Sequence, residues 1–390
     1  MTFWEQLDQS PVTLKHWILG LLPEWLQIPA SILISISAII GVFALLFAFI
    51  TWLERRGLGR MQNRQGPNRV GPFGLFQPIA DGIKMIIKED LVPHNADKAL
   101  HFLAPVMLIV PSLLALSMIP VGRNIVAIDF EAGVLLFFAI GASTELSVFM
   151  AGWGSHNKYS LLGSLRAIAQ MISYELPLVI SALAVIFVTG SLDTNKIVDL
   201  QTDNFLHWYI LSPWGLLGFV TFLICALAES NRSPFDLPEA ESELIAGHLT
   251  EYSGFKYALF FMAEYFGMLG ISGMAVTLFL GGWQAPLPML GFVPSWIWFF
   301  SKLFVLIWIF IWVRATLPRL RADQLMDLAW KFFLPLGLLN LVCAGIWAKA
   351  GPLWGWGLGL ALLLPSIFGL GRLLRGIRPA GGRRVYQYAD

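Results

Sequence analysis

Runs of about 20 apolar residues, long enough to carry a helix across the hydrocarbon core of a bilayer, recur along this whole chain. Nine can be read: Ile28–Leu53, Leu100–Val121, Gly133–Trp153, Ile168–Thr189, Ile210–Ala228, Tyr257–Gly281, Trp296–Trp312, Phe332–Ala348 and Leu353–Leu370. Lipid offers no hydrogen bonds to a bare backbone, so each run reads as a helix that satisfies its own N–H and C=O groups. The chain is 57% hydrophobic and only 13% charged, and its mean hydropathy is +0.69. The reading is an all-α polytopic membrane protein, with residues 1–390 forming one integral membrane domain.

Lys and Arg give an independent check, because cytoplasmic connections hold an excess of them. With residue 1 outside, the inner connections collect most of the 26 cations, from Arg55 in the first to Lys331 before the eighth run. The cytoplasmic tail adds Arg372, Arg375, Arg378, Arg383 and Arg384. The outer side keeps Lys15, Arg123, Lys196 and Lys349, and Lys302 lies within a run. Residues 1–27 read as a short amphipathic surface segment on the outer side, with no cleavable signal or transit peptide. Cys225 and Cys343 both fall in apolar runs and read as small buried hydrophobes, not as a disulfide framework.

Several chemistries find no foothold. There is no cysteine cluster for an iron–sulfur centre, no GxxxxGK[ST] phosphate loop and no HExxH. "GWGLGL" near Gly355 reads as close helix packing through small residues, and the six His residues are scattered. The chain is expected to hold no metal, nucleotide or electron carrier, so any electrons arrive from a partner.

An inner basic connection spans 54–98. In "ERRGLGRMQNRQGPNRVGP", Arg56, Arg60 and Arg64 recur at intervals of four, which aligns them on one face if that segment is helical. Gly66-Pro67 and Gly71-Pro72 then turn the chain. A stop signal for membrane insertion explains the arginines. It does not explain the interleaved Gln62, Asn63, Gln65 and Asn68, which suit a protein contact or the polar lip of a cavity. In "FGLFQPIADGIKMIIKEDLVP", Phe76, Ile79, Ala80, Ile83 and Ile87 share one helical face and Gln77, Asp81, Lys84 and Lys88 the other. That predicts an interfacial amphipathic helix.

The inner acidic connection, 229–256, contains "AESNRSPFDLPEAESELIAGHLTEYSG", in which Glu229, Asp236, Glu239, Glu241, Glu243 and Glu251 face a single Arg232. Asp236 can cap a helix starting at Leu237, with Pro238 in its first turn and Glu239 three residues after the cap. Capping accounts for Asp236 and Glu239 but not for Glu229, Glu241, Glu243 or Glu251. Crowded carboxylates shift one another's titration, which suits a proton relay. Glu145, Glu175 and Glu264 lie within apolar runs, where an acid costs several kcal/mol and marks a functional site or a structural helix–helix hydrogen bond. Lys302, the one cation deep in a run, is a candidate counter-ion on the same proton path.

Together these segments, with "WVRATLPRLRADQLMDLAWKFFLP", resemble a membrane-arm family of bacterial respiratory complex I, the NADH–quinone oxidoreductase, over about residues 30–350. It is the H-subunit family, whose mitochondrial equivalent is NADH–ubiquinone oxidoreductase chain 1. The last apolar run and the Arg-rich tail lie outside the more uniform part of that family. The resemblance implies a membrane component of a proton-pumping translocase in the bacterial inner membrane. It would join the membrane arm to the peripheral arm and form much of the quinone-access chamber. Quinone is then a substrate, and NADH, FMN and iron–sulfur centres sit on partner subunits. Glu54, Arg55, Arg60, Arg232, Phe235, Asp236 and Glu239 are implied at the chamber and interface. Glu145, Glu175, Glu229, Glu241, Glu243 and Glu264 are implied on the proton path. Two rivals are the homologous anchor subunit of energy-converting membrane hydrogenases and a stand-alone proton-coupled transporter. The "RMQNRQGPNRVGP" segment favours the first family, and the absence of internal repeats disfavours a transporter.

Overall fold

The computed structural model describes residues 7–202, 204–237 and 246–376. Glu239, Glu241 and Glu243, and the helix expected to follow Asp236, lie outside the described residues. Among those described there are helices and no strands. In order they are α1 (Ser10–Gly20), α2 (Glu24–Met61), α3 (Gln77–Ile87), α4 (Lys98–Leu116), α5 (Gly133–Gly154), α6 (Lys158–Thr189) and α7 (Thr194–Asp199). Then come α8 (Pro213–Glu229), α9 (Gly254–Phe279), α10 (Ser295–Thr316), α11 (Ala322–Asp327) and α12 (Leu334–Gly376). A π-helical turn, Leu328–Phe333, joins α11 to α12.

Each of the nine apolar runs is carried by a helix. Eight segments have the length and composition to cross a membrane, and α8, at 17 residues, is shorter. The last two runs share α12, which breaks at Gly351, where φ is 77° and only glycine is unstrained. Local chemistry sets several ends. Asp97 accepts from the Ala99 and Leu100 N–H groups to start α4, and Ser212 caps α8 ahead of Pro213. Gly190, at φ 67°, ends α6. The α10 N-terminus is capped from far away in sequence: Asp8 Oδ1 accepts the Ser295 N–H and hydroxyl, both at 2.7 Å.

One sequence expectation changes. The first run was expected to give way to a loop at Glu54, but α2 continues for two turns to Met61. Nothing in "ERRGLGRM" breaks a helix, and the chain turns only where Asn63 adopts φ 53°. Arg56 and Arg60 therefore share the helix end, whereas Arg64 has left it, its N–H bonding back to the Gly59 carbonyl at 2.8 Å. Residues 10–20 form a helix tied to α2 by Lys15, which donates to the Ser35 hydroxyl at 2.8 Å. Leu14, Trp17 and Leu21 remain exposed on and just after it.

Helices α4, α5, α6, α8 and α9 form the packed body, with α12 against α6 and α8 and α10 against α9. Trp214, Phe222, Phe266, Phe279 and Phe299 are fully buried in the main apolar core. A second cluster, including Leu108, Val148, Met171, Tyr252 and Phe260, joins α4, α5, α6 and α9 at one end. Helix α2 stands apart over most of its length and enters the body only near Phe43, Ile50 and Glu54. At Gly57 its backbone comes within reach of the Trp308 ring, 3.3 Å from where a Cβ would sit.

Candidate functional site

The polar residues that the packed helices bring together form two adjoining groups. The first is centred on Glu54, which projects from α2 into the body and is only 3% exposed. Arg232 Nη1 donates to both Glu54 oxygens, at 2.8 and 3.0 Å. The Tyr265 hydroxyl donates to Oε2 at 2.7 Å, and Arg314 Nη1 also donates to the carboxylate. A buried charge is tolerated only when paired and hydrogen-bonded, and Glu54 meets both conditions. Arg232 stacks over the Tyr265 ring, its guanidinium carbon 4.2 Å from the centroid. Burial works against its charge, but the Glu54 carboxylate outweighs that and raises the guanidinium above its ordinary range. Arg232 is therefore a fixed cation.

The second group lines a cavity between α4, α5, α6, α8 and α9. Glu175, Glu229 and Glu264 reach it from α6, α8 and α9, together with Thr144, Ser230 and His248. Glu145 stands one position round α5 from Thr144 and outside the lining, with its carboxyl near that of Glu175. Glu229 Oε2 is buried without a protein hydrogen-bond partner, while its Oε1 faces Gly141, 3.7 Å from where a Cβ would sit. Pro177 lies two residues after Glu175 and α6 runs through it. Trp330 Nε1 donates to the Ser173 hydroxyl on the preceding turn at 3.2 Å.

Arg232 links the two groups, since it is close enough to Glu264 for their charges to attract. Adjacent residues of α9, Glu264 and Tyr265, thus serve the cavity and the Glu54 cluster respectively. The first end of the acidic connection is held by Gln170 of α6. Its amide donates to the Ala228 carbonyl at 2.7 Å and to the Phe235 carbonyl at 2.6 Å. Asp236 does not stand free: its Oδ2 accepts from Arg319 at 2.8 Å. Phe235 packs on Tyr174, with ring centroids 5.2 Å apart.

Other predicted residues fall elsewhere. Arg55 pairs with Asp81 of α3, which explains the turn of α3 against α2. Burial would raise the Asp81 carboxyl, but the Arg55 contact lowers it below its usual range. Arg60 is exposed at the end of α2. The apolar face of α3 is open, with Ile79, Ile83 and Ile87 each more than half exposed.

Lys302 is not the counter-ion of the glutamates. Its ammonium donates to the Leu280, Gly282 and Gln284 carbonyls at 2.7, 2.9 and 2.7 Å, and lies 4.1 Å from the Trp208 ring centroid. Leu280 follows Glu264 by 16 residues along α9, which at 1.5 Å per residue is about 24 Å. Lys302 closes the C-terminus of α9, where free carbonyls attract a cation.

Gln170, Tyr265, Arg314 and His248 did not stand out in the sequence. Gln170 carried a usable signal, a lone amide inside an apolar run. The others carried none until their neighbours were known. No group of three or more His, Cys, Asp or Glu side chains among the described residues is placed to hold a metal ion.

The profile of the family described as NADH dehydrogenase matches residues 34–345. A protein from Dehalococcoides mccartyi, named as the H subunit of NADH-quinone oxidoreductase, is 47% identical over 361 residues, covering 93% of this chain and 98% of the relative. One of the same name from Brevibacillus brevis is 45% identical over 327 residues, covering 83% of this chain and 95% of the relative. Another, from an Acidovorax species, is 48% identical over 308 residues, covering 77% and 86%. On this similarity, which takes in both polar groups and the helices that carry them, the chain belongs to the NADH dehydrogenase family, beside the proteins named as H subunits of NADH-quinone oxidoreductase.

Proposed function

We propose that this chain is the H subunit of an NADH-quinone oxidoreductase in the bacterial inner membrane, where it couples quinone reduction to proton translocation. NADH, FMN and iron–sulfur chemistry belong to partner subunits, and this chain supplies the membrane-embedded path. The observation that carries the reading is the juncture at Arg232. One fixed cation touches the Glu54 cluster on one side and acts on Glu264 of the acid-lined cavity on the other.

Reducing a quinone takes up two electrons and two protons, so negative charge develops near the head group before protons neutralise it. A charge change on the Glu54 side alters the field at Glu264, and through it the sharing of protons among Glu175, Glu145 and Glu229. Glu239, Glu241 and Glu243, which lie outside the described residues, belong to the same proton path in this reading. Glu54, Arg55, Arg232, Phe235 and Asp236 border the quinone-access chamber, and the exposed Arg60 faces the peripheral partner. The open face of α3 lies on lipid or quinone tail. Lys302 has no part in this path.

The test is Glu175→Gln and Glu229→Gln in membranes containing the whole complex. Gln keeps the size and hydrogen bonding but cannot titrate. NADH oxidation by an artificial acceptor, which draws electrons upstream, should persist, while NADH:quinone turnover and proton pumping fall at least tenfold. Normal quinone-linked turnover and pumping in both variants would refute the reading.

A further inference from the structure

His248 lies in the 3-10 turn Gly247–Leu249, just after the acidic segment, and is only 2% exposed. The turn is wedged between helices. A Cβ on Gly163 of α6 would meet the Gly247 Cα at 2.5 Å, so the two backbones are in direct contact. Ser160 donates its hydroxyl to the His248 carbonyl at 3.3 Å, and Phe260 of α9 lies edge-on to the imidazole at 5.9 Å. Gly247 takes φ 53° to make the turn. The result is an imidazole fixed on the wall of the same cavity as Glu175, Glu229 and Glu264.

Two buried polar atoms of that lining have no protein partner, Glu229 Oε2 and His248 Nδ1. Buried polar atoms are almost always satisfied, and in a polar cavity water supplies the partner. The titratable groups that line the same cavity are Glu175 from α6, Glu229 from α8 and Glu264 from α9. On the far side of the turn, Glu251 is held by Asn157 at 2.6 Å and His101 stacks on Tyr252.

We infer that His248 is a proton-relay residue of this cavity, passing protons through bound water among Glu175, Glu229 and Glu264. The step conserves protons. One ring nitrogen gains a proton from a water or carboxylic acid as the other gives one to a water or carboxylate, and the ring ends neutral in its other tautomer. Rotation of the ring, or a return transfer, resets it. A neutral imidazole is required, since only it has both a donor and an acceptor nitrogen. Burial supplies that, holding the ring down to about 4.

This inference rests on the proposed coupling role, and the test separates the two. His248→Gln and His248→Leu are made in the whole complex, beside Glu175→Gln. Expected are a normal artificial-acceptor rate, a tenfold or greater loss of NADH:quinone turnover with an altered pH profile, and partial recovery in His248→Ala on adding free imidazole. Wild-type turnover and pH profile in an assembled His248 variant, with Glu175→Gln impaired, would overturn the relay and leave the coupling role intact. Wild-type rates in Glu175→Gln as well would overturn both. If no His248 variant assembles, isotope-edited infrared difference spectra of the wild-type complex decide: the relay predicts an imidazole band change on quinone reduction, and none would refute it.

Discussion

Replacing Glu54 by Gln should damage this protein more than any other single change at the juncture. Its carboxylate accepts both hydrogen bonds from Nη1 of Arg232, a side chain in a residue only 7% exposed, and it also holds Arg314. Taking guanidinium and carboxylate centres as about 4 Å apart and an effective dielectric of about 20, their attraction is about 4 kcal/mol. Breaking a buried pair from one side costs about 3–5 kcal/mol, because the remaining charge is stranded. Glu54→Gln strands Arg232 and turns an amide N–H toward guanidinium donors. Arg232→Met should cost less, since Glu54 keeps Arg314 and Tyr265. The double variant should cost about 2 kcal/mol less than the sum, the coupling expected of residues in direct contact. The assay is thermal inactivation of the assembled complex for wild type, both single variants and the double, with assembly checked by native gel. Additive losses, or Arg232→Met worse than Glu54→Gln, would refute the assignment of Glu54 as the charge that holds this cluster.

Other outcomes follow from the same geometry. Lys302→Met should lower stability by about 2–4 kcal/mol through three lost charge-assisted hydrogen bonds while leaving the pH profile of turnover unchanged; an altered profile would return Lys302 to the proton path. Gly163→Ala should cost about 1–3 kcal/mol by overpacking, since its Cβ meets backbone rather than a movable side chain, and should lower quinone-linked turnover by shifting His248. Equal turnover in Gly163→Ala would show that the wedge does not position the ring. His248 is held at about 4 in the fold against about 6.5 unfolded. Its neutral burial therefore favours the fold fully above about pH 6.5, and that contribution is lost as pH falls toward 4, to a total of about 3 kcal/mol. His248→Gln should flatten the acid limb of thermal stability between those values, and an unchanged limb would show that other groups set it.

The nine apolar runs, the apolar face of α3 and the acids within apolar runs were all legible in the sequence. Each is a local property: length of an apolar run, period of 3.6, a carboxylate where lipid forbids one. Helix ends were legible only where the capping residue sits beside its helix, as at Asp97 or Ser212. The α10 cap comes from Asp8, 287 residues away, and no local pattern announces it. The same holds at the polar groups. Glu54 read as the start of a basic loop, yet the helix continued and packing carried its side chain to Arg232, Tyr265 and Arg314. Lys302 and the glutamates read alike as buried charges in need of partners. Their sequence positions could not say that α9 separates Lys302 from Glu264 by about 24 Å along its axis, with backbone carbonyls satisfying Lys302 while Glu175 and Glu264 share a cavity. Composition determined that these charges had to be paired, because an unpaired charge in an apolar interior is too costly to keep. Which group pairs with which was decided by helix packing, since contacts between distant segments depend on where rigid helices cross and not on the residues next to them in the chain.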